Sequence, residues 1–172
     1  IQQSACEGRR PHGVVPDRLR SRPRLLSRLL EDRGALRLVV APPGFGKATL
    51  AFEYASVMFQ FEHVFWLRGS SPCFLRDLDA GVLAEAVLEA DEHAALMVVT
   101  DLPLLTDDRA EAFAEVVERL ADANCEVIAT TTRADAPMEL FGRRVVIGAA
   151  EMLVAREDLE EEPEGVTDRR PL

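Results

Sequence analysis

The stretch at residues 36–50, which reads LRLVVAPPGFGKATL, constrains the fold more than any other part of the sequence. It begins with a run of apolar and partly β-branched residues, which predicts a buried strand. Two prolines and two glycines then interrupt any regular pattern, and Lys47 precedes a mostly apolar segment of good helix formers that ends near Phe59. A strand, a glycine-rich turn, a lysine and a helix in this order are the layout of a phosphate-binding loop.

The general phosphate-loop pattern G-x-x-x-x-G-K-[ST] aligns with Ala41, Gly46, Lys47 and Ala48. The chain matches the pattern at its two central positions and departs from it at both ends. Alanine at the first position costs little at the end of a strand, but Ala48 replaces the hydroxyl that normally holds Mg²⁺. Thr49 points about 100° away around the helix and does not substitute for it. The loop therefore predicts nucleotide binding with at most slow hydrolysis.

Residues of the loop and of the first helical turn are the candidate nucleotide-binding residues. Backbone N–H groups at a helix N-terminus, together with the helix dipole, bind phosphate oxygens, and glycines let the backbone approach the anion closely. A lysine adds a point charge that reaches the β- and γ-phosphates. The alternative is a tight turn with an exposed lysine, but the flanking strand and helix favour the phosphate loop. The candidates are Pro43, Gly44, Phe45, Gly46, Lys47, Ala48 and Thr49.

Length and composition limit the other possibilities. With 172 residues, of which 48% are hydrophobic, the chain is long enough for one domain with a full core. The net charge of −10 argues against a nucleic-acid-binding surface on this domain, and no apolar run approaches the roughly 18 residues of a membrane span. Three widely spaced cysteines form neither a metal motif nor a disulfide framework, so we expect a cytoplasmic protein.

We expect three parts along the chain: a flexible lead-in at 1–17, a nucleotide-binding domain at 18–159 and a disordered acidic tail at 160–172. The lead-in mixes Gly, Pro, Arg and Gln without periodicity. The tail is acidic and is interrupted by Pro and Gly. Because the sequence begins without methionine and ends on a polar tail, we expect it to be a piece of a longer protein.

Apolar strands alternate with amphipathic helices along the whole domain. This alternation predicts βαβ units with right-handed crossovers. The fold class is therefore α/β, a three-layer P-loop NTPase fold with a mostly parallel five-stranded sheet and helices on both faces. The predicted strands lie near 38–40, 62–67, 94–100, 126–131 and 144–148, and the predicted helices near 18–30, 48–59, 74–89, 107–120 and 151–159.

Asp101 directly follows the third predicted strand and is the candidate catalytic and metal-binding residue. Ligands of parallel sheets bind at the carboxyl ends of the strands, so Asp101 should lie near the phosphate loop. A carboxylate there holds Mg²⁺, directly or through water, or polarises the attacking water. The alternative is that Asp101 only caps the turn that precedes Pro103.

Arg133 follows three threonines at the end of the fourth predicted strand, which should lie beside the strand of the phosphate loop. A guanidinium there can sense the γ-phosphate through a charge-assisted contact. Pairing with Asp101 or with Asp135 is the alternative.

Five runs of the sequence together resemble a known family, namely RLRSRPRLLSRLL, LRLVVAPPGFGKATLAFEYA, VFWLRG, ALMVVTDLPLL and CEVIATTTR. They are similar to the NB-ARC/AAA-like nucleotide-binding domain of the signal-transduction ATPases with numerous domains (STAND). The greatest similarity is to the maltose-regulator-like branch of large bacterial LuxR-type transcriptional regulators. That branch typically shows A-P-[AP]-G-[YF]-G-K-T-T-L in the loop, which residues 41–50 match at every place but Ala48.

The resemblance implies a regulatory domain that is switched by ATP and ADP and acts through further domains or through self-association. It implies that Lys47 contacts the β- and γ-phosphates, Thr49 the α-phosphate, and that Arg133 is the sensor. It also implies that DNA binding resides in another part of such a regulator. Two departures, Ala48 and Thr100 in place of the first of two aspartates, predict weak Mg²⁺ binding and slow turnover.

Two other functions remain open at this stage. A degenerate domain that binds no nucleotide would serve as a protein-interaction scaffold, but it need not retain Gly44, Gly46, Lys47 and Thr49 together. A small-molecule or nucleotide kinase would be expected to carry an arginine-rich lid, which the sequence lacks between its strands.

Overall fold

A computed structural model describes residues 22–31, 36–133, 142 and 144–153. The predicted lead-in and acidic tail lie outside these residues. The strands are β1 (Leu36–Val40), β2 (Val64–Arg68), β3 (Leu96–Thr100), β4 (Glu126–Thr131) and β5 (Arg144–Ile147). The helices are α1 (Pro23–Leu30), α2 (Lys47–Phe59), α3 (Pro72–Asp79), α4 (Leu83–Ala90) and α5 (Asp107–Asp122). Residues 149–153 are helical and are called the 149–153 segment below.

The five strands form one parallel sheet in the order β2-β3-β4-β1-β5. The predicted five-stranded α/β sheet is therefore confirmed, as is the prediction that the fourth strand lies beside the strand of the phosphate loop. β1 is paired on both sides, since Leu38 is in register with Ala129 of β4 and with Val146 of β5. All five carboxyl ends consequently lie along the same edge of the sheet.

Two apolar cores lie on opposite faces of the sheet, because side chains alternate between the faces along each strand. In β3, for example, Met97 and Val99 face one core, whereas Leu96 and Val98 face the other. The first core packs against α3, α4 and α5, and the second against α1, α2 and the 149–153 segment. These layers are the three-layer arrangement expected of a parallel sheet that is covered on both faces.

The helix predicted at 74–89 is wrong as a single element, because the structure has two helices there, α3 and α4. Gly81 separates them in the left-handed region, with φ +69°, where a helix readily ends at glycine. The apolar stripe continues through both helices, with Leu78 and Leu83 buried in the same core. The sequence pattern shows this shared buried face but not the break within it.

The cysteines differ in state. Cys125 is a free thiol in the core, and burial, together with the charge of Glu126, raises its pKa to about 12. A thiol with so high a pKa is a packing group rather than a nucleophile. Cys73 is disulfide-bonded, which the spacing of the three cysteines did not predict. Within the described residues, no helix has the length and apolar character needed to cross a membrane.

Candidate functional site

The loop between β1 and α2 makes two turns that only glycine adopts without strain. Gly44 has φ +84° and Gly46 has φ +81°, both in the left-handed region that disfavours a Cβ. The β1–β4 ladder extends one residue into the loop, since the Ala41 N–H donates to the Thr131 carbonyl at 3.2 Å. The loop therefore begins beside the end of β4, as predicted.

The N-terminus of α2 opens onto this loop. Gly46 is the N-cap and has no side chain with which to cap the helix, and the first helical hydrogen bond runs from the Leu50 N–H to the Gly46 carbonyl at 3.0 Å. Pro43 and Ala48 are exposed, and Thr49 is half-buried. Uncapped N–H groups at the positive end of a helix are a site for an anion.

Lys47 is buried, with 8% of its surface exposed. Its Nζ donates to the carbonyl oxygens of Ala41 at 2.6 Å and of Pro42 at 3.1 Å. Burial lowers the pKa of the ammonium group, and the negative charge of Asp101 acts in the opposite direction. Among the described residues, no carboxylate lies within ion-pair distance of Nζ. The hydrogen-bond partners of this cation, within the part of the chain that the structure describes, are thus backbone carbonyl oxygens.

Asp101 lies at the end of β3, as predicted, and is exposed. Its φ of 53° places it in the left-handed region, where a non-glycine residue is strained. Thr130, in the neighbouring strand, supports this turn twice. Its Oγ1 accepts a hydrogen bond from the Asp101 N–H at 3.1 Å, and its carbonyl accepts one from the Leu102 N–H at 2.8 Å. The carboxylate is close enough to Lys47 to influence its pKa.

Gly69 is a second support for Asp101, and sequence reasoning missed it. A Cβ on Gly69 would come within 2.7 Å of the Leu102 Cα and 2.9 Å of the Asp101 carbonyl oxygen. The Gly69 N–H also donates to the Thr100 carbonyl at 2.7 Å. Since these neighbours are backbone atoms, no side chain fits here without moving the turn of Asp101. The sequence signal was only a glycine one residue beyond the end of an apolar strand.

Arg133 lies beyond the end of β4 and is exposed. Its N–H donates to the Thr131 Oγ1 at 3.4 Å. Within the described residues its guanidinium makes no ion pair, so the alternative of a pair with Asp101 is wrong, while Asp135 lies outside these residues. Thr100, at the end of β3, donates its hydroxyl to the Leu67 carbonyl at 3.4 Å.

Arg22, the residue before α1, also reaches the phosphate loop. Its Nη1 donates to the Phe45 carbonyl at 3.2 Å, and its Nη2 lies 2.8 Å from where a Cβ on Gly46 would be. Arg22 is half-buried, although it lies at the start of an amphipathic helix that is rich in arginine. Helical periodicity carries no information about a residue that precedes the helix.

The residues of the site fit a nucleotide better than they fit a tightly held metal ion. The two left-handed glycines, the uncapped helix end and Lys47 suit a phosphate. For Mg²⁺, the described side chains at this edge of the sheet offer the carboxylate of Asp101, and Ala48 adds no hydroxyl. Within the described residues, no three His, Cys, Asp or Glu side chains are grouped so that they could hold a metal ion.

No protein-family model matches the sequence, and no curated protein matches it. Several solved structures match the fold. A DNA replication initiation factor aligns with a TM-score of 0.54 and 15% identity, over 87% of this chain and 53% of its own. The replication initiator DnaA bound to AMPPCP and single-stranded DNA aligns with a TM-score of 0.55 and 15% identity, and the alignment covers 87% of this chain and 53% of the DnaA chain. AMPPCP-bound DnaA from Aquifex aeolicus aligns with a TM-score of 0.52 and 14% identity, and the alignment covers 79% of this chain and 48% of the DnaA chain.

The chain therefore spans about half the length of these neighbours. At this level of identity the likeness concerns the fold. It agrees with the parallel sheet order and with a loop that joins β1 to a helix N-terminus. This chain has a P-loop NTPase-like fold.

Proposed function

We propose that this chain is a nucleotide-binding regulatory domain that is switched by ATP and ADP. The observation that carries the proposal is Lys47, a buried ammonium group that bonds to carbonyl oxygens and, among the described residues, forms no ion pair with a carboxylate. It is also the only lysine in the sequence, although Lys and Arg together number 20. A lysine ammonium group is a compact point charge and is a common ligand of phosphate oxygens in loops of this kind.

In this proposal, phosphate oxygens accept hydrogen bonds from the backbone N–H groups between Gly44 and Thr49. Lys47 then exchanges its bonds to the Ala41 and Pro42 carbonyls for charge-assisted bonds to the β- and γ-phosphates. These bonds are stronger than those between neutral groups. Arg133, with its guanidinium exposed at the adjacent strand end, is the proposed sensor of the γ-phosphate.

Hydrolysis is proposed to be slow. When Mg²⁺ is bound, it neutralises charge on the phosphates. Among the residues that the structure describes at this edge of the sheet, Asp101 is the acidic side chain that would hold the ion or orient water. Ala48 contributes no ligand, and the Thr100 hydroxyl already bonds to a backbone carbonyl. Most of the coordination would come from phosphate oxygens and water, so binding of the ion is weak and turnover is at most that of a slow ATPase.

The finer proposal is that the chain is the nucleotide-binding domain, at residues 18–159, of a cytoplasmic STAND regulator of the maltose-regulator-like LuxR type. The loop at 41–50 supports it, because it keeps the alanine typical of that branch at its first position. The proposed partners are further domains of such a regulator or a second copy of it. One structural neighbour is bound to single-stranded DNA, but the net charge of −10 argues against DNA binding by this domain itself.

The experiment is calorimetric titration of the 172-residue chain with ADP and with ATP, each with and without Mg²⁺. The Lys47→Met variant is titrated in the same way. Saturable binding by the wild type that is weakened at least about 100-fold in the variant would support the proposal, since a buried charge-assisted contact contributes roughly 3 kcal/mol. Absence of binding by the nucleotide-free wild type would contradict it and favour the scaffold.

Restoring the missing hydroxyl tests the explanation for weak metal binding. In Ala48→Thr, ADP affinity in the presence of Mg²⁺ should rise by about tenfold, the effect of one additional ligand contact of roughly 1.4 kcal/mol. Affinity without Mg²⁺ should not change, and Ala48→Val is the matched control of similar shape. An equal effect of Mg²⁺ in all three proteins would show that this position does not control the metal.

A further inference from the structure

The Arg22 side chain contacts two segments that are distant from it in sequence. Its guanidinium donates to the Phe45 carbonyl in the phosphate loop at 3.2 Å and lies against Gly46. The same Nη1 lies 4.0 Å from the Sδ of Met152 in the 149–153 segment. One side chain therefore contacts both the loop and the last described helical turn of the chain.

The backbone of Arg22 is fixed independently of its side chain. Its N–H donates to both carboxylate oxygens of Glu53, at 3.1 and 3.2 Å, and Glu53 is buried in α2 with 4% of its surface exposed. Pro23 then begins α1 at the first helical position, where its fixed φ suits a helix. A substitution of the Arg22 side chain therefore leaves the entry into α1 in place.

The 149–153 segment is held mainly by α1. Met152 is buried in the same core as Leu25 and Leu29, and Arg28 forms an ion pair with Glu151 at 3.4 Å. The Met152 N–H donates to the Gly148 carbonyl at 3.2 Å, just beyond β5. Arg28 provides a contact to this segment from the same helix without contacting the loop.

We propose that Arg22 is a second cation of the nucleotide site and that it couples the phosphate loop to the 149–153 segment. An anion bound at the Gly46 N-cap attracts the neighbouring guanidinium, which binds phosphate oxygens with two donors in a fixed geometry. The guanidinium then turns away from Met152 and the segment loosens. The inference rests on the proposed function, because it assigns the regulation of the same site.

The test compares wild type, Arg22→Met and Arg28→Met in the full chain, with ADP as the probe. Calorimetry should show about tenfold weaker ADP binding in Arg22→Met, the effect of losing one charge-assisted contact, and unchanged binding in Arg28→Met. Hydrogen exchange gives the second readout. ADP should slow exchange at the loop amides and speed it at Met152 in wild type and in Arg28→Met, whereas in Arg22→Met only the slowing at the loop should remain.

The outcomes separate this inference from the proposed function. If the wild type binds no ADP, the proposed function and the role of Arg22 are both overturned. If wild type binds ADP, but Arg22→Met binds it equally tightly and shows the same faster exchange at Met152, the proposed function stands and the role of Arg22 is overturned. Arg22→Lys provides a second check, because it keeps the charge and should recover part of the affinity without the two-donor geometry of a guanidinium.

Discussion

Two buried cations lie at opposite ends of the strand β1, and their surroundings differ. Arg37 is completely buried near the start of β1, where its Nε donates to the Leu29 carbonyl at 2.7 Å and its Nη1 lies 3.4 Å from the Glu126 carboxylate. Its guanidinium stacks over the Tyr54 ring at 5.1 Å. Lys47, beyond the other end of the strand, has two carbonyl oxygens as partners and no ion pair among the described residues.

In our proposal, this difference separates a charge that stabilises the fold from a charge that binds a ligand. Glu126 neutralises Arg37 within the protein, and the Tyr54 hydroxyl donates to the same carboxylate at 2.6 Å. At Lys47, burial lowers the pKa, so the charged form is less stable than it is in water. A bound phosphate would supply the missing countercharge. We therefore expect substitutions at the two ends to affect different properties.

The largest expected effect is on folding, from Arg37→Met. Loss of the guanidinium leaves the Glu126 carboxylate without its cation and the Leu29 carbonyl without its donor. Breaking a buried pair typically costs 3–5 kcal/mol, and because Glu126 is partly exposed we expect about 3 kcal/mol. Urea unfolding measures this difference. Lys47→Met, in the same assay, should lower the free energy of unfolding by less than about 1 kcal/mol, because it removes a buried charge that forms no ion pair among the described residues.

Arg144→Met is the matched control for Arg37→Met. Arg144 is exposed in the neighbouring strand β5, and its Nη1 donates to the Gly142 carbonyl at 3.2 Å. We expect it to change the free energy of unfolding by less than about 0.5 kcal/mol. The contrast between the two ends of β1 would be wrong if Arg37→Met lowered the free energy of unfolding no more than Arg144→Met does. It would also be wrong if Lys47→Met lowered the free energy of unfolding as much as Arg37→Met does.

An intermediate effect is expected at the backbone that supports Asp101. In Gly69→Ala, the new methyl group would lie 2.7 Å from the Leu102 Cα, and backbone atoms move at greater cost than side chains. We expect a loss of about 2 kcal/mol in the free energy of unfolding. Gly148→Ala is the control, because a Cβ there meets no atom within 4 Å. Equal stability of the two variants would show that the close approach of Gly69 does not constrain the turn.

The smallest expected effect is the pH dependence contributed by Lys47. Its pKa in the folded chain lies below the ordinary 10.5. At pH values between the folded-state pKa and 10.5, the unfolded chain therefore binds more protons than the folded chain does. Stability therefore rises with pH through that window. ADP affinity should fall through the same window, because phosphate binds the charged ammonium. Unfolding curves and ADP titrations at a series of pH values measure how stability and ADP affinity change with pH. In Lys47→Met, both of these pH dependences should be absent from this window.

The apolar pattern along the chain predicted much of the fold. A strand covered on both faces is nearly continuous in apolar residues, and this signal located β1, β3 and β4 and hence the carboxyl edge that holds Lys47 and Asp101. A phosphate loop could be predicted between β1 and α2 because its glycines and its lysine form a local sequence pattern. Each of these features depends on residues that are close together in the sequence.

The supports of the site were not predicted, because they depend on contacts between distant segments. Gly69 matters because the turn of Asp101, more than thirty residues later, packs against its Cα. Arg22 reaches the loop because the buried Glu53 carboxylate, 31 residues away, holds its N–H. From the sequence, Thr130 was only one of three threonines at a strand end. Its support of the Asp101 turn depends on the pairing of β4 with β3. A single sequence does not encode such contacts as a pattern.

The most direct test of the account is the titration of Lys47 itself by NMR, with and without ADP. Because the sequence contains one lysine, labelling lysine with ¹³C at Cε yields a single side-chain signal. We predict a pKa below 10.5 in the free protein, as burial requires, and a higher pKa once ADP is bound. A signal that titrates at the ordinary value and does not respond to ADP would contradict the claim that this charge is kept for a phosphate.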